Sequence, residues 1–179
     1  MHITLDPIVL APHVPVVDGG RVVLARDVDD LPNQVGVGTF SMFAIPITSV
    51  FLPEGDSGLK IMEVVSEALT TAGYTPVPAP EMLSGPVLSC RIVEMSFRNY
   101  TWTAPTTIVW GSTRIELSLT DPDGHLRWQR EYDADYDGWG INESFDRAVN
   151  VSLGKILARA AEDFTNQEFR RACCEPESP

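Results

Sequence analysis

The chain has 179 residues, the length of one domain, and a domain of this size buries enough surface to fold without a structural metal or a disulfide. Apolar residues make up 44% and charged residues 21%, and no apolar run approaches the roughly 20 residues of a membrane helix. The net charge of −12, without basic clusters, argues against a nucleic-acid partner, because contact with phosphates requires grouped lysines and arginines.

The beginning of the chain predicts an extended arm over residues 1–20, because this stretch is rich in proline. It lacks the basic segment of a secretory signal, so we expect a cytoplasmic protein unless a signal segment has been removed. Short strands are predicted at 21–25 and 35–40, and a loop is predicted around Pro46 and Pro53.

One amphipathic helix is predicted next. Asp56 or Ser57 can cap its N-terminus, because either side chain accepts a hydrogen bond from the free N–H groups of the first turn. Gly73 ends it, since glycine adopts the left-handed conformation common after helix C-termini. Its apolar residues fall on one face: Leu59, Met62, Val65, Ala68 and Leu69. A short extended segment follows at 74–78.

Three consecutive strands are predicted at 87–97, 106–120 and 125–136. The second and third are joined by DPDG, in which proline and glycine favour a tight turn. A four-residue turn pairs Thr120 with His125. The resulting register predicts three further pairs: Leu117 with Trp128, Leu119 with Leu126, and Arg114 with Glu131.

A long final helix is predicted from Glu143 to Phe169, with Asn142 as its N-cap, because apolar residues recur through it at helical spacing. Residues 172–179 are predicted to be a disordered tail. Residues 21–171 then form a single α+β domain, a two-layer sandwich with two helices packed on one face of a mostly antiparallel sheet, a β-meander.

The stretch DADYDGWGINES, residues 133–144, begins like the calcium loop of an EF-hand. The pattern fails at its twelfth position, where Ser144 replaces the glutamate ligand, and a strand rather than a helix precedes it. Period-two alternation places its aspartates on the solvent side of that strand. We interpret the stretch as a strand end, a turn at GWG and a helix start; a looser metal site at Asp137 and Glu143 is the alternative.

An outward-facing apolar patch is predicted in the meander. The register places Ile108 and Trp110 on the outer face, and Tyr100 and Trp102 cluster at the preceding strand connection. Exposed apolar clusters are typical of surfaces that bind a partner, so these four residues are the predicted partner-binding site. The alternative is that they belong to the core.

Arg130 is predicted on the inner face of the third strand, opposite Ile115. Three explanations are open. The side chain extends to the edge of the sheet, lies at a β-bulge, or pairs with a buried carboxylate.

Catalytic and cofactor-binding side chains are not grouped in the sequence. The three histidines have no serine elbow near them, and GVG at 36–38 lacks the rest of a dinucleotide fingerprint. Cys90 is predicted to be a buried thiol, and the adjacent Cys173 and Cys174 do not have zinc-ligand spacing. We therefore predict no catalytic residue and no cofactor.

Several segments resemble YajG-type lipoproteins of the bacterial envelope and the related auxiliary lipoproteins of ABC transport systems. They are a strand ending in ARDVDD, a helix LKIMEVVSEALTTAGY leading into PVLSCRIVEMSF, and a hairpin IELSLTDPDGHLRWQREY with a tryptophan on its return strand. Four residues match the end of the family's helix: Ala68, Leu69, Gly73 and Tyr74. Asp27 begins the segment after the first strand, but the arginine expected at position 29 is aspartate. The similarity covers residues 21–171.

The resemblance implies a periplasm-facing domain without catalysis, tethered to a membrane by a lipid anchor that this chain does not contain. We expect an assembly, scaffold or transport-auxiliary component in the periplasm or at the outer membrane. Its partner would be a protein or a second copy of itself, with lipid or glycan as further classes. The alternative is an acidic-site hydrolase or a calcium-binding domain using the carboxylates between Asp133 and Glu143, which a cleft at Gly138–Gly140 would favour.

Overall fold

The computed structural model describes residues 17, 19–25, 36–42, 45–51, 56–78, 85–103, 106–141 and 143–174. Within these ranges the chain forms seven strands and three helices. The strands are β1 (Arg21–Leu24), β2 (Gly36–Met42), β3 (Ile45–Phe51), β4 (Thr75–Pro78), β5 (Val87–Thr103), β6 (Thr106–Thr120) and β7 (Leu126–Gly140). The helices are α1 (Asp56–Ala72), α2 (Phe145–Phe164) and α3 (Gln167–Cys174). Most of the predicted arm, residues 1–16 and 18, falls outside the described residues.

All seven strands belong to one mixed sheet organised around β5. On one side of β5, β6 and then β7 follow in antiparallel order. On its other side, β1 pairs in parallel with its beginning and β2 pairs in parallel with its middle. The predicted α+β class is confirmed, but the sheet holds three parallel pairings beside its meander. The parallel strands β1 and β4 are joined through α1, the kind of long crossover that parallel pairing requires.

The loop predicted around Pro46 is wrong. Residues Ile45–Phe51 form β3, which among the described strands pairs with β2 alone and is therefore an edge strand. An edge strand accommodates Pro46 because one side of its backbone makes no sheet hydrogen bonds.

The long helix predicted from Glu143 to Phe169 is divided into two helices. Its cap is Ser144 rather than the predicted Asn142, since the Ser144 hydroxyl accepts a hydrogen bond from the N–H of Arg147 at 3.2 Å. Residues 172–174, assigned above to the tail, belong to α3.

The break at Thr165 has a packing consequence. It allows α3 to fold back, so that the fully buried Phe169 ring lies 4.7 Å from Phe164 and 4.9 Å from Trp128 between ring centroids. In one continuous helix, residues five positions apart point away from each other. Aromatic pairs at these separations stabilise the core beyond the apolar area that they bury.

The predicted faces of β7 are confirmed by burial from Trp128 onward. Trp128, Tyr132, Ala134 and Tyr136 are buried under the helices, while the residues between them are exposed or half-buried. We call the buried side the inner face and the opposite side the outer face. No described helix is both long and apolar enough to cross a bilayer.

The predicted register of β6 and β7 is wrong by two residues. Trp128 pairs with Leu119 rather than Leu117, and an irregularity follows between Leu119 and Thr120. Because the shift is even up to Leu119, the side chains from Trp128 onward keep their predicted faces. Leu126, predicted on the inner face opposite Leu119, pairs with Thr120 instead and is 56% exposed. The predicted contact between Arg114 and Glu131 still forms, as a diagonal ion pair of 3.4 Å.

Arg130 pairs with carboxylates, as in the third explanation, but they are a half-buried and an exposed carboxylate rather than buried ones. It forms ion pairs with Asp163 of α2 at 3.3 Å and with Glu168 of α3 at 2.8 Å. The side chain therefore joins β7 to both C-terminal helices.

Candidate functional site

The outer face of β5, β6 and β7 carries the residues that were predicted to bind a partner. Cross-strand pairing sets neighbouring side chains in rows across the three strands. Two adjacent rows lie at one end of this face: Tyr100, Ile108 and Trp139, followed by Arg98, Trp110 and Asp137. We call Tyr100, Ile108, Trp110 and Trp139 the outer-face patch.

The outer-face patch contains the most exposed tryptophan among the described residues. Trp139 is 74% exposed and Trp110 is 39% exposed, whereas Trp128 on the inner face is 4% exposed. Ile108 and Tyr100 are half-buried. A tryptophan contributes to folding mainly through the large area that it buries, so exposure of Trp139 is not explained by the stability of the domain.

Two other residues bear on the predicted site. Trp102 lies within β5, and its side chain falls outside the described residues. Ile141 follows directly after β7 and is 68% exposed, so the apolar surface continues past the end of the strand.

Trp139 was not among the predicted site residues because GWG was interpreted as a turn. That interpretation is wrong, since β7 continues to Gly140, and Trp139 pairs with Ile108. The signal was present in the sequence: odd-numbered residues of β7 point outward, and Trp139 continues that series.

Gly111 allows β5 and β6 to approach closely beside the outer-face patch. A Cβ at this position would clash with the carbonyl oxygen of Ser96 and with the backbone of Phe97 on β5. Only glycine fits such a close approach of two backbones. Gly111, although it is not part of the outer-face patch, therefore allows the close strand spacing next to Trp110.

Charged side chains flank Trp110 within its row. Arg98 lies beside it on β5 and Asp137 lies beside it on β7. Among the described residues, neither side chain has a hydrogen-bond or ion-pair partner. Farther along the outer face the charges are paired, as in Arg91 and Glu116 at 2.9 Å. The patch is thus an apolar area bordered by two unpaired charges of opposite sign.

An open depression adjoins Trp110 at this end of the sheet. Its lining consists of Trp110, Gly111, Ser112, Asp135, Tyr136 and Asp137. The acidic residues of β7 lie along an extended strand, and residues 138–140 continue that strand. Within the described ranges, residues 138–140 form no turn and thus no cleft of the kind that would favour an acidic-site enzyme.

The free edge of β7 is partly covered by α2. Lys155 donates a hydrogen bond to the carbonyl oxygen of Asp135 at 2.9 Å, and Arg159 donates to that of Asp133 at 2.8 Å. Occupied carbonyls on an edge strand hinder the addition of a strand from another chain. Binding at this end of the sheet is therefore favoured on the outer face rather than along the edge.

The two residues of the alternative metal site lie on different faces. Asp137 points outward beside Trp110. The Glu143 carboxylate accepts a hydrogen bond from the Tyr136 hydroxyl on the inner side and pairs with Arg147 at 3.5 Å. Burial, and then the nearby Glu143 carboxylate, raise the pKa of Tyr136. In this arrangement Glu143 closes the junction between β7 and α2.

In the described part of the chain, one group of three side chains of types that can bind a metal lies at the turn between β6 and β7. Asp121, Asp123 and His125 form it. The Asp121 carboxylate accepts hydrogen bonds from the N–H groups of Asp123 at 2.9 Å and His125 at 2.8 Å. The bond from His125 is the main cause that lowers the pKa of Asp121. These contacts close the turn, which accounts for the grouping.

The three cysteines are free thiols. Cys90 is buried in the core, and this burial raises its pKa to about 12. Cys174 is exposed, and its sulfur accepts a hydrogen bond from the N–H of Gly20 at 3.3 Å.

Comparison with known proteins gives matches at the level of structure. No protein-family model matches the chain, and no curated protein matches its sequence. The fold is similar to the crystal structure of a DUF330 protein from Xanthomonas campestris, with a TM-score of 0.50 and 12% identity over 92% of this chain and 90% of that one.

Two further structures are matched less closely. The PelC dodecamer from Paraburkholderia phytofirmans has a TM-score of 0.39 and 16% identity, over 81% of this chain and 91% of that one. A minor lipoprotein from Acinetobacter baumannii has a TM-score of 0.44 and 12% identity, over 92% of this chain and all (100%) of that one. Bacterial lipoproteins are thus among the proteins of similar structure, and at these identities the similarity concerns the fold alone.

Proposed function

We propose that this domain is a non-catalytic component of the bacterial cell envelope and that it binds a partner through the outer-face patch. The observation that carries the proposal is the exposure of Trp139, 74%, beside Trp110 on a face that no described helix covers. Large exposed apolar groups gathered on one surface are typical of interaction sites.

The composition of the patch favours a protein partner. Tryptophan and tyrosine dominate the energetics of protein interfaces, and a polar border that excludes water commonly surrounds them. Trp110 has that setting, with Arg98 and Asp137 on its two sides. An anionic lipid surface is a poor alternative, because the chain has a net charge of −12 and exposed aspartates line β7 beside the patch.

The absence of catalysis is supported by the open setting of the acidic strand. Asp135 and Asp137 lie along an extended strand on the open outer face, where water is not excluded. Catalytic carboxylates are usually found in clefts whose surroundings shift their pKa values.

The envelope setting is supported by the resemblance to YajG-type lipoproteins in residues 21–171. A periplasm-facing domain of that type would work as an assembly or transport-auxiliary component. Fractionation of the native cells with an antibody to this chain tests the setting. We expect the protein in the periplasmic or membrane fraction, and recovery of all of it in the cytosol would contradict the envelope assignment.

Photo-cross-linking tests the binding surface. A photoreactive amino acid replaces Trp139 in one variant and Asp123, an exposed residue of the β6–β7 turn, in a control variant. After illumination of native envelope, we expect a discrete cross-linked product from position 139 and none from position 123. Equal labelling from both positions, or labelling from neither, would contradict binding through the patch.

A further inference from the structure

We propose that the outer-face patch binds a second copy of this chain, face to face, about a twofold axis that runs parallel to β6. The inference rests on the proposed function, because it names the partner of the same surface. Its starting point is the row in which Trp110 lies between Arg98 and Asp137.

Arg98 and Asp137 do not pair with each other within one copy. They lie on strands that are separated by β6, so their backbones are about 9.6 Å apart, two strand spacings. Trp110 stands between them, and neither charge has a partner among the described residues. Each charge is therefore available to a molecule that covers Trp110.

A twofold rotation about an axis parallel to β6 brings opposite charges together. The rotation exchanges the two sides of the sheet, so that β5 of one copy faces β7 of the other. Arg98 then lies opposite the partner's Asp137, and Asp137 lies opposite the partner's Arg98. In a twofold dimer each such contact occurs twice.

The same rotation also pairs the side chains of the neighbouring row, which consists of Tyr100, Ile108 and Trp139. Tyr100 lies opposite the partner's Trp139, while Ile108 and Trp110 meet their own equivalents near the axis. Aromatic side chains thus meet aromatic side chains, and the most exposed residue of the patch becomes covered. Two sheets that pack face to face in this way keep their strands within about 30° of each other.

The other twofold arrangement is disfavoured by charge. An axis perpendicular to the strands would place β7 of one copy over β7 of the other. If this axis passed through the Trp110 row, Asp137 would lie opposite the partner's Asp137, and Arg98 opposite the partner's Arg98. Like charges placed opposite one another oppose association, so the charges of the Trp110 row favour the axis parallel to β6.

The expected dimer is weak. Beyond the two rows, the same rotation would set Glu94 opposite the partner's Asp133 and Arg114 opposite the partner's Arg114, so the contact does not extend to that row. The contact is therefore at or below the low end of stable interfaces, about 1,200 Å². We expect a reversible dimer whose fraction rises with protein concentration in the micromolar range.

Sedimentation equilibrium of the purified full chain tests the proposal by charge exchange. The variants are Arg98→Asp, Asp137→Arg and the double variant with both changes. Each single change places like charges opposite each other twice, so we expect the dimerisation constant to fall at least about tenfold. The double variant restores opposite charges and should dimerise to within about threefold of the natural chain.

The control is Asp123→Arg, which changes the net charge as Asp137→Arg does but at an exposed turn position. It should leave the dimerisation constant unchanged, and equal melting temperatures should show that all variants fold. A chain that is monomeric up to its highest soluble concentration overturns the proposal. A dimerisation constant that the single changes leave unaltered also overturns it, and so does a double variant whose dimerisation constant stays as low as that of the single variants.

These outcomes are separate from failure of the proposed function. If the chain is monomeric but position 139 still cross-links to another molecule in native envelope, the patch binds a different partner and only the dimer is overturned. If position 139 also fails to cross-link, both proposals fall.

Discussion

The Arg130 guanidinium lies 3.3 Å from both carboxylate oxygens of Asp163, which joins the inner face of β7 to the end of α2. The Tyr132 hydroxyl donates a hydrogen bond to the same carboxylate at 2.9 Å. Burial is the main cause that raises the pKa of Tyr132, and its bond to Asp163 adds to the effect. The Asp163 side chain is only 19% exposed, so this contact is shielded from solvent more than a surface ion pair.

Replacing Asp163 should therefore destabilise the domain. In Asp163→Ala the Tyr132 hydroxyl and the Arg130 guanidinium lose their shared acceptor. We expect a loss of about 1–3 kcal/mol in the free energy of unfolding, limited by the 40% exposure of Arg130. Urea unfolding measures it. Glu168→Gln, whose side chain is 65% exposed, is the control and should cost less than about 0.5 kcal/mol. Equal losses from the two variants would contradict this account.

The close approach of β5 and β6 gives a second prediction. In Gly111→Ala the added methyl group meets the Ser96 carbonyl, so the strands must move apart. We expect a loss of about 1–3 kcal/mol in stability, the usual range for overpacking. Thermal unfolding measures the loss, and Ser112→Ala, the next residue along β6, should behave like the natural chain. An unchanged melting temperature in Gly111→Ala would show that β5 and β6 do not meet in this way.

The buried thiol of Cys90 predicts a loss of stability at alkaline pH. Its pKa is raised by burial from 9.0 to about 12, so the unfolded chain loses this proton at lower pH than the folded chain does. The thiol's contribution is complete below about pH 9 and is lost as the pH rises toward about 12. The slope is at most about 1.4 kcal/mol per pH unit.

Urea unfolding between these pH values measures the slope, and Cys90→Ala supplies the comparison. The free energy of unfolding of the natural chain should fall more steeply with pH than that of the variant. Parallel curves would indicate that Cys90 is accessible to solvent in the folded protein.

The two faces of the sheet predict a large loss of stability for replacement of one tryptophan and a small loss for replacement of another. Trp128 is 4% exposed and contacts Phe169, so Trp128→Ala should cost about 3–5 kcal/mol of stability. Trp139 is 74% exposed, so Trp139→Ser in dilute solution should cost less than about 0.5 kcal/mol. Chemical unfolding measures both changes. A large loss in Trp139→Ser would mean that the outer-face patch serves folding rather than binding.

Period-two alternation was sufficient to predict the two faces of β7 from Trp128 onward and the outward position of Trp110, but not the exposure of Leu126. The register and the end of the strand were not predictable in the same way. One residue of the shift arises at the turn, where Thr120 pairs with Leu126 rather than His125, and the second arises at the irregularity between Leu119 and Thr120. Trp139 was missed because two flanking glycines resemble a turn, although β6 provides Ile108 as a strand neighbour.

Contacts between distant parts of the chain were the hardest to predict. A charged Arg130 at an inner-face position could not be explained from the sequence. Its partner Asp163 follows 33 residues later, on a helix whose orientation the sequence does not give. The break at Thr165 was missed for a similar reason. It is favoured by the burial of Phe169 against Trp128, which is a tertiary contact.

Hydroxyl-radical footprinting in native envelope tests the central claim, that a partner covers the outer-face patch. The oxidation rates of Trp110 and Trp139 are compared with those in the purified, dilute chain, and Leu126, 56% exposed at the other end of β7, is the internal control. The account predicts that both tryptophans are oxidised several-fold more slowly in the envelope while Leu126 is unchanged. Equal oxidation of Trp139 in the two samples would contradict it.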